Sequence, residues 1–491
     1  MKKIIVLSIF TFTSLFAQNI DNKSFRNKIS QFVQKIKSEI NLESGFNFLV
    51  VTKDQILFQD EYGIRDVNRM EPVVRKTPFY IASSTKSFLA AAIMKLHERG
   101  DIDINKPISN YLPDFNYSSE ANSDSITIKN LLTHTKVVDD FAIAVRTAYS
   151  GQYDDKLVLN MIKDGRYFGE NFRYTNTGYL FAAIIIEKVT GKYWKQIIHD
   201  EILAPLQMQN TSCYVSDYSM DELAQPHEFT NGIGKQFPFV KTDTTMHPAG
   251  GMISTSDDMI NWIRFNLTGK TPHDENLLSL NSFKELHSQH ADVDKTFWEY
   301  HRTGYGLGWY ISDYNGETLI HHFGGYIGFR AHVSFMPEYG IGIASMINDD
   351  GEGFFVPDLI ADYAYNLFLG KENAEELAES ELNKIVESAK KNREKKAENE
   401  STTKVEPDLD FASVAGKYSN SSIGDISVSI EENDLVFTMG NLSNKAVFSS
   451  EEDFSVDWFF VKLGGKFNFE NGKLISVTLK AGNSPLEFKK L

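Results

Sequence analysis

Phe79-Tyr80-Ile81-Ala82-Ser83-Ser84-Thr85-Lys86-Ser87-Phe88 is the stretch on which the reading of this chain turns. Ser83 and Lys86 form Ser-x-x-Lys directly ahead of an apolar run (Phe88, Leu89, Ala92, Ile93, Leu96) that stops at Gly100. If Ser83 opens a helix, Lys86 sits one turn on, on the same face, with its amine beside the hydroxyl. The first-turn N–H groups are unpaired, and the positive end of the helix dipole lies behind them. Four residues then supply a nucleophile, a base and an oxyanion donor. The same spacing recurs at Ser388/Lys391 and Ser401/Lys404, but those pairs lie in a charged polar stretch and follow from composition. Only the first pair introduces an apolar helix. The plain alternative is an ordinary serine at a helix start with a surface lysine.

Outward from this helix the pattern is strands, then helices, then strands. Residues 46–51 and 55–58 read as two strands about a Lys53-Asp54 turn, preceded by an amphipathic helix over 21–40 (Ile29, Phe32, Val33, Ile36, Ile40). From 107 to about 280 the signals are mostly helical, including apolar helices at 180–189 and 257–267. Residues 306–311, 319–322, 328–336 and 341–347 suit adjacent antiparallel strands, the last two joined at Pro337-Glu338-Tyr339-Gly340. A final helix is expected over 358–369. Strands bracketing a helical middle predict an α/β sheet domain with an all-α insertion.

Residues 371–400 carry sixteen charges in thirty positions and read as an exposed helix or semi-rigid spacer. With the linker that follows, the spacer spans 371–407. From 408 to 491 the pattern is all β: Ile426-Ser427-Val428-Ser429-Ile430 alternates, and Asn471-Gly472 marks a hairpin. A small barrel-like domain is expected there.

The chain has 491 residues and a formal net charge of −16. Its length implies two or three domains, and its acidity argues against a nucleic-acid partner. Residues 1–17 read as a secretory signal peptide, with Lys2 and Lys3 ahead of an apolar core too short to span a bilayer. The expectation is an exported protein, periplasmic or secreted, whose main domain spans 18–370, with no lasting membrane insertion. Cys213 is the only cysteine, so neither a disulfide within the chain nor a cysteine zinc site is available. His287-Ser288-Gln289-His290 and His321-His322 lack metal-ligand spacing with an acid nearby. No metal and no organic cofactor is called for.

A serine nucleophile needs a proton acceptor, an oxyanion hole and an acid for the leaving atom. Tyr174-Thr175-Asn176 precedes an apolar helix, and residues two apart in an extended loop project to one side. Tyr174 can shuttle the proton and Asn176 can hold a substrate amide; alternatively, the tyrosine belongs to the core and the asparagine caps the helix. His322-Phe323-Gly324-Gly325 lies between two strand signals, where glycines let a substrate approach a strand edge. Gly325 N–H is the second oxyanion donor on this reading. His321 is a rival for the polar role, and Arg302-Thr303-Gly304 for the whole element.

In this order and setting the three motifs resemble those of the serine β-lactamase and penicillin-binding-protein superfamily, nearest the class C β-lactamase-like branch with its D-aminopeptidases and esterases. Ile126-Thr127-Ile128-Lys129-Asn130-Leu131-Leu132-Thr133-His134-Thr135, Pro248-Ala249-Gly250-Gly251 and Gly304-Tyr305-Gly306-Leu307-Gly308-Trp309 support the likeness, which covers roughly 25–370. The resemblance implies Ser83 as the acylated nucleophile, Lys86 as its partner and Tyr174 as general base and acid. Asn176, His322, Gly324 and Gly325 fall at its substrate and oxyanion positions. Many lactamases place Lys-Thr-Gly where His322-x-Gly324 stands, and that lysine grips a carboxylate. A histidine there points to small peptides, D-amino-acid peptides, amides or esters rather than efficient lactam cleavage. The implied partner is a small-molecule or peptide substrate. β-Lactamase or D,D-carboxypeptidase activity is the nearest alternative. A non-catalytic penicillin-binding-like recognition protein is the alternative from another class.

Overall fold

The computed structural model describes residues 21–400, 405–458, 461–481 and 484–491, with side chains described only to 395 in the long helix that ends at Glu400. The signal-peptide expectation for 1–17 lies outside these residues, as do Ser401 to Lys404 of the linker.

The strands of the main sheet are β1 (Phe46–Thr52), β2 (Ile56–Tyr62), β3 (Ala291–Phe297), β4 (Tyr300–Tyr305), β5 (Tyr310–Tyr314), β6 (Glu317–His321), β7 (Gly324–Tyr326), β8 (Phe329–Met336) and β9 (Ile341–Ile347). They run β3-β4-β5-β6-β8-β9-β1-β2 across the sheet, all antiparallel, with β7 pairing β8 beyond the end of β6. The N-terminal hairpin thus joins the C-terminal strands through β1 and β9, in register from Phe46 opposite Ile347 to Thr52 opposite Ile341. That long-range pairing brings Ser83 and the third motif to one place.

Both faces of the sheet are covered, which is why β1 and β9 read as continuous apolar runs. Phe46, Phe48 and Val50 face α1 (Asn22–Ile40), α5 (Val356–Phe368) and α6 (Ala374–Glu400). Leu49 and Val51 face the opposite way, into a core shared with α2 (Thr85–Arg99), α3 (Thr177–Thr190) and α4 (Ser256–Thr268). The helical insertion sits on that second side, interrupted by short two-stranded pairs such as His227–Thr230 with Ile233–Gln236.

Three details differ from the sequence reading. The strands β3 and β4, which carry charged residues such as Asp294, Lys295 and Arg302, have no apolar alternation to announce them. Residues 306–309 form the turn into β5 rather than its first half. The charged helix α6 is not an exposed spacer: Ala374, Ala378, Leu382 and Ile385 are buried against α1 and α5. Lys28–Glu375 (2.6 Å) and Lys35–Glu379 (2.5 Å) rim that contact.

The C-terminal region is a closed antiparallel barrel of eight strands, β10 (Gly416–Asn420) to β17 (Ser484–Lys490). Closure removes the free edges a small sheet would otherwise expose. The barrel docks on the insertion. Ala142, Val145 and Val240 are buried in one cluster with the barrel interior. Arg146 donates to Ser421 O (2.9 Å), and Gln152 exchanges two hydrogen bonds with the backbone of Asp425 (2.9 and 2.7 Å).

Candidate active site

Ser83 lies on a single 3-10 turn, Ala82–Ser84, between a two-residue strand (Phe79–Tyr80) and the first turn of α2. It therefore precedes the helix rather than opening it. Ala82 holds a left-handed φ of 45°, an uncommon conformation for a residue with a side chain. The tight turn presents Ser83 half-buried at the N-terminal end of α2 while Lys86 is fully buried inside its first turn.

Lys86 Nζ lies 3.1 Å from Ser83 Oγ, 2.8 Å from Asn176 Oδ1 and 2.7 Å from the Ala249 carbonyl. Burial pushes the amine well below its ordinary value. The neutral amine has two N–H donors and one lone pair. Asn176 and Ala249 are pure acceptors at these atoms and take both donors, so the lone pair is left for the Ser83 O–H. An ammonium would instead donate to all three.

Tyr174 completes the cluster. Its ring centroid lies 4.8 Å from Lys86 Nζ, and 37% of its surface stays open to solvent. Burial raises the phenol, while the neighbouring Ser83 and the charge of Arg302 pull it back in part. At neutral pH Tyr174 thus carries its proton and faces the cleft as an acid. Asn176 stands at the start of α3 without a side-chain capping bond, so the helix-cap alternative fails. Its carbonyl is held by Lys86, and its amide N–H₂ remains for a ligand.

β7 passes beside the Ser83 turn. A Cβ on Gly324 would stand 2.0 Å from the Ile81 carbonyl, so glycine is what allows the approach. Gly324 is thus a packing residue, not the substrate contact expected of it. His322 N–H donates inward to Val333 O (2.9 Å), and Tyr326 faces Phe329 across a two-residue hairpin loop. By the alternation of an antiparallel ladder, Gly325 N–H then points away from β8, to the edge that no strand covers. The Ser83 N–H likewise has no backbone partner among the described residues. Both amides expected to form the oxyanion hole are available.

The expectation for His322 needs correction. Its ring faces Tyr174 (6.1 Å between centroids) but is buried, with both nitrogens engaged. His134 Nδ1 accepts from Thr175 N–H (3.4 Å), so His134 Nε2–H donates to the Tyr305 hydroxyl (3.2 Å). His322 Nδ1–H donates to Phe323 O (3.0 Å), so His322 Nε2 accepts from Tyr305 (3.2 Å). The chain is consistent with two neutral imidazoles, and burial holds both well below the usual histidine range. His322 is a wall of the site and has no hydrogen bond left for a substrate. His321 is buried elsewhere, against Ser312 Oγ (2.9 Å). His287 and His290 also serve the framework, at Asn266 Oδ1 (2.9 Å) and Glu285 O (2.8 Å). Among the described residues no group of three or more His, Cys, Asp or Glu is arranged to hold a metal ion.

His134, Tyr305, Tyr310 and the Ala249 carbonyl were not singled out as functional from the sequence. Each lies in or next to a supporting stretch quoted above. His134 lies 4.6 Å from the Tyr174 ring and Tyr310 stacks on it at 6.2 Å, so together they hold the phenol in place. Gly308, at φ 81°, lets the turn into β5 touch the backbone of Lys86 and Ser87.

A serine beside a buried lysine amine, on a sheet flanked by helices in this order, defines a serine hydrolase of the β-lactamase and transpeptidase type. The chain belongs to the Beta-lactamase family, whose model matches residues 27–365. It is similar to Protein flp of Staphylococcus aureus (strain MW2), 28% identical over 322 residues, which are 64% of this chain and 61% of that protein. It therefore spans less than two thirds of that relative's length. Two solved structures share the fold. The octameric penicillin-binding protein homologue from Pyrococcus abyssi has a TM-score of 0.60 at 21% identity, covering 94% of this chain and 99% of that one. D-amino acid amidase from Ochrobactrum anthropi SV3, complexed with L-phenylalanine amide, has a TM-score of 0.54 at 20% identity, covering 76% and 99%.

Proposed function

We propose that this protein cleaves a small amide or ester, most readily a D-amino-acid amide or short peptide, through an acyl-enzyme on Ser83, after export from the cell. The observation that carries the reading is the Lys86 amine, fixed by Asn176 and Ala249 with its remaining valence 3.1 Å from Ser83 Oγ. The likeness of fold to a D-amino acid amidase supports the substrate class.

In the first step Ser83 Oγ bonds to the carbonyl carbon and its proton passes to Lys86 Nζ. The carbonyl electrons move onto oxygen, which Ser83 N–H and Gly325 N–H receive at the positive end of α2. As the tetrahedral centre collapses, the C–N or C–O bond breaks and Tyr174 gives its proton to the leaving atom. The Lys86 ammonium refills Tyr174. In the second step water attacks the Ser83 ester, losing a proton to the same pair, and Ser83 leaves with its proton restored. Asn176 N–H₂ holds the substrate carbonyl flanking the scissile bond.

The test is labelling with a fluorophosphonate, followed by peptide mapping, alongside an activity screen over D-aminoacyl amides, short-chain esters and nitrocefin. The adduct is expected on Ser83, and turnover on D-aminoacyl amides. Equal labelling of Ser83→Ala would overturn the mechanism. Turnover of nitrocefin alone would replace the substrate assignment by the β-lactamase alternative.

A further inference from the structure

A continuous strap of hydrogen bonds crosses the wall of the site, and the proposed chemistry gives it no task. It starts at the Thr175 N–H, beside Tyr174, and ends at the Phe323 carbonyl, two residues before Gly325. Between these backbone ends stand His134, Tyr305 and His322, with exposures of 0, 0 and 1%. The four links measure 3.4, 3.2, 3.2 and 3.0 Å in that order. The three side chains come from distant parts of the chain: the 126–135 stretch, the end of β4 and the residue after β6. His134 holds a left-handed φ of 57°, a cost that persists only where the surroundings fix the residue.

The ends of the strap set its hydrogens. A backbone N–H only donates and a backbone carbonyl only accepts. Each link therefore carries one hydrogen, and all four point the same way, from the Tyr174 loop toward β7. An added proton finds no place. On His322 Nε2 it would displace the Tyr305 hydrogen, whose other neighbour, His134 Nε2, already carries one. On His134 Nδ1 it would face the Thr175 N–H. The groups packed around the two rings offer no compensation. Lys86 on α2, neutral until it takes the Ser83 proton, and Arg302 on β4 are both basic, and no carboxylate among the described residues acts on either ring. Tyr174, Tyr179 and Tyr310 pack against them as rings, and Tyr179 donates its hydrogen to the Leu132 carbonyl (2.8 Å). His321, the residue before His322, is held by Ser312.

We propose that Tyr305 is a positioning residue of the reaction: through His134 and His322 it ties the loop that carries Tyr174 to the strand edge that carries Gly325. The proton donor for the leaving atom and the second oxyanion donor then keep a fixed separation. A proton on either imidazole opens the strap, and its charge would also oppose the transfer from Ser83 to Lys86. The inference rests on the serine hydrolase reading and adds to it a residue that touches neither substrate nor Ser83.

Labelling of Ser83 by the fluorophosphonate is followed across pH in the full chain, for the wild type, Tyr305→Phe and Tyr305→Phe/His322→Gln. Tyr305→Phe keeps the ring and removes the central link. It should label about tenfold or more slowly, since small displacements of reacting groups cost at least that much. It should also gain an acid limb at about pH 6.5, the ordinary histidine range, because His322 Nε2 is the lone pair that the substitution uncovers. Tyr305→Phe/His322→Gln should stay slow and lack that limb, since glutamine does not titrate. An unchanged rate in Tyr305→Phe overturns the proposal. So does a loss equal at every pH, which would leave Tyr305 a packing residue. If Tyr305→Phe fails to fold, His134→Gln and His322→Gln open the strap from its two sides. Each should slow labelling, and His134→Gln/His322→Gln should be no slower than the worse single variant, because an open strap cannot be opened again. Multiplicative losses there overturn the proposal. A wild type that the fluorophosphonate does not label at Ser83 refutes the hydrolase reading itself, and the positioning role with it.

Discussion

Lys86 concentrates the tension between folding and chemistry at a single residue. Its burial opposes the charged form, and the same burial supplies a neutral amine beside Ser83. Between the lowered folded value and the ordinary one, the unfolded chain binds the extra proton. Stability therefore falls as pH drops through that window. Lys86→Met should melt at or above the wild-type temperature, with a margin that widens from pH 10 toward neutrality. A margin that narrows instead would contradict the neutral amine. The same variant should label about 10²-fold more slowly or worse. The wild-type labelling rate should rise with pH as Lys86 loses its proton, and this limb should be absent from Lys86→Met. Tyr174→Phe should cost a similar factor in turnover. Because the two residues share one proton path, Lys86→Met/Tyr174→Phe should lose far less than the product of the single losses.

His322→Lys is expected to lower the melting temperature rather than create a carboxylate grip. The new ammonium would be buried near Lys86 and Arg302, and two hydrogen bonds would be lost. A stable His322→Lys protein with a new preference for anionic substrates would mean that position 322 faces the cleft after all.

At the level of elements, the site is the meeting of a turn, a loop and a strand edge, each set by a close approach. The 3-10 turn at Ser83 leaves the Ser83 N–H unpaired, and the parity of β7 leaves the Gly325 N–H facing the cleft. The neighbouring glycines can be separated by experiment. Gly324→Ala places a methyl group 2.0 Å from the Ile81 carbonyl, so β7 must shift relative to the Ser83 turn. Gly325→Ala meets nothing nearer than Phe354 at 3.9 Å. Gly324→Ala should therefore lose at least about tenfold in labelling rate together with stability. Gly325→Ala should keep the melting temperature, and any loss should fall on substrates that lie along the edge. Equal melting temperatures for the two would deny the close packing.

For the whole molecule, the natural unit of the hydrolase domain extends past residue 370. α6 buries Ala374, Ala378, Leu382 and Ile385 on α1 and α5. Its leucine and isoleucine alone represent roughly 3–6 kcal/mol of burial. A chain ending at Gly370 is expected to be aggregation-prone or unstable. One ending at Glu400 should fold and still label at Ser83, since the barrel contributes none of the contacts to Lys86 Nζ. It should nonetheless melt lower, because Ala142, Val145 and Val240 lose their cover and Arg146 its bonds to the Ser421 and Ser422 carbonyls. Thermal melts of the two truncated chains beside the full chain decide this. Equal stability of the full chain and the one ending at Glu400 would mean that the barrel contact contributes nothing.

The sequence by itself determined the local parts. Ser83, Lys86, Tyr174 and Asn176 were legible because spacing on a helix start or a loop fixes which side chains are neighbours. Four of the eight barrel strands, α1, α4, β8 and β9 were legible because a face buried along one element leaves its period in the residues. The tertiary structure alone decided where the rest points. His322 follows a strand signal as a free imidazole would, yet it is sealed by the carbonyl of its neighbour Phe323 and by Tyr305, which meets it only when β4, β5 and β6 pair. β3 and β4 were illegible because one side of each meets solvent and the other a cluster of aromatic rings and Arg302, which leaves no apolar alternation. α6 looked like a solvated spacer because its contacts use small alanines spaced between charges. The hydrogen bond to the Ala249 carbonyl has no sequence signature at all. A bond to a backbone atom is set by chain segments more than a hundred residues apart, and only folding brings them together.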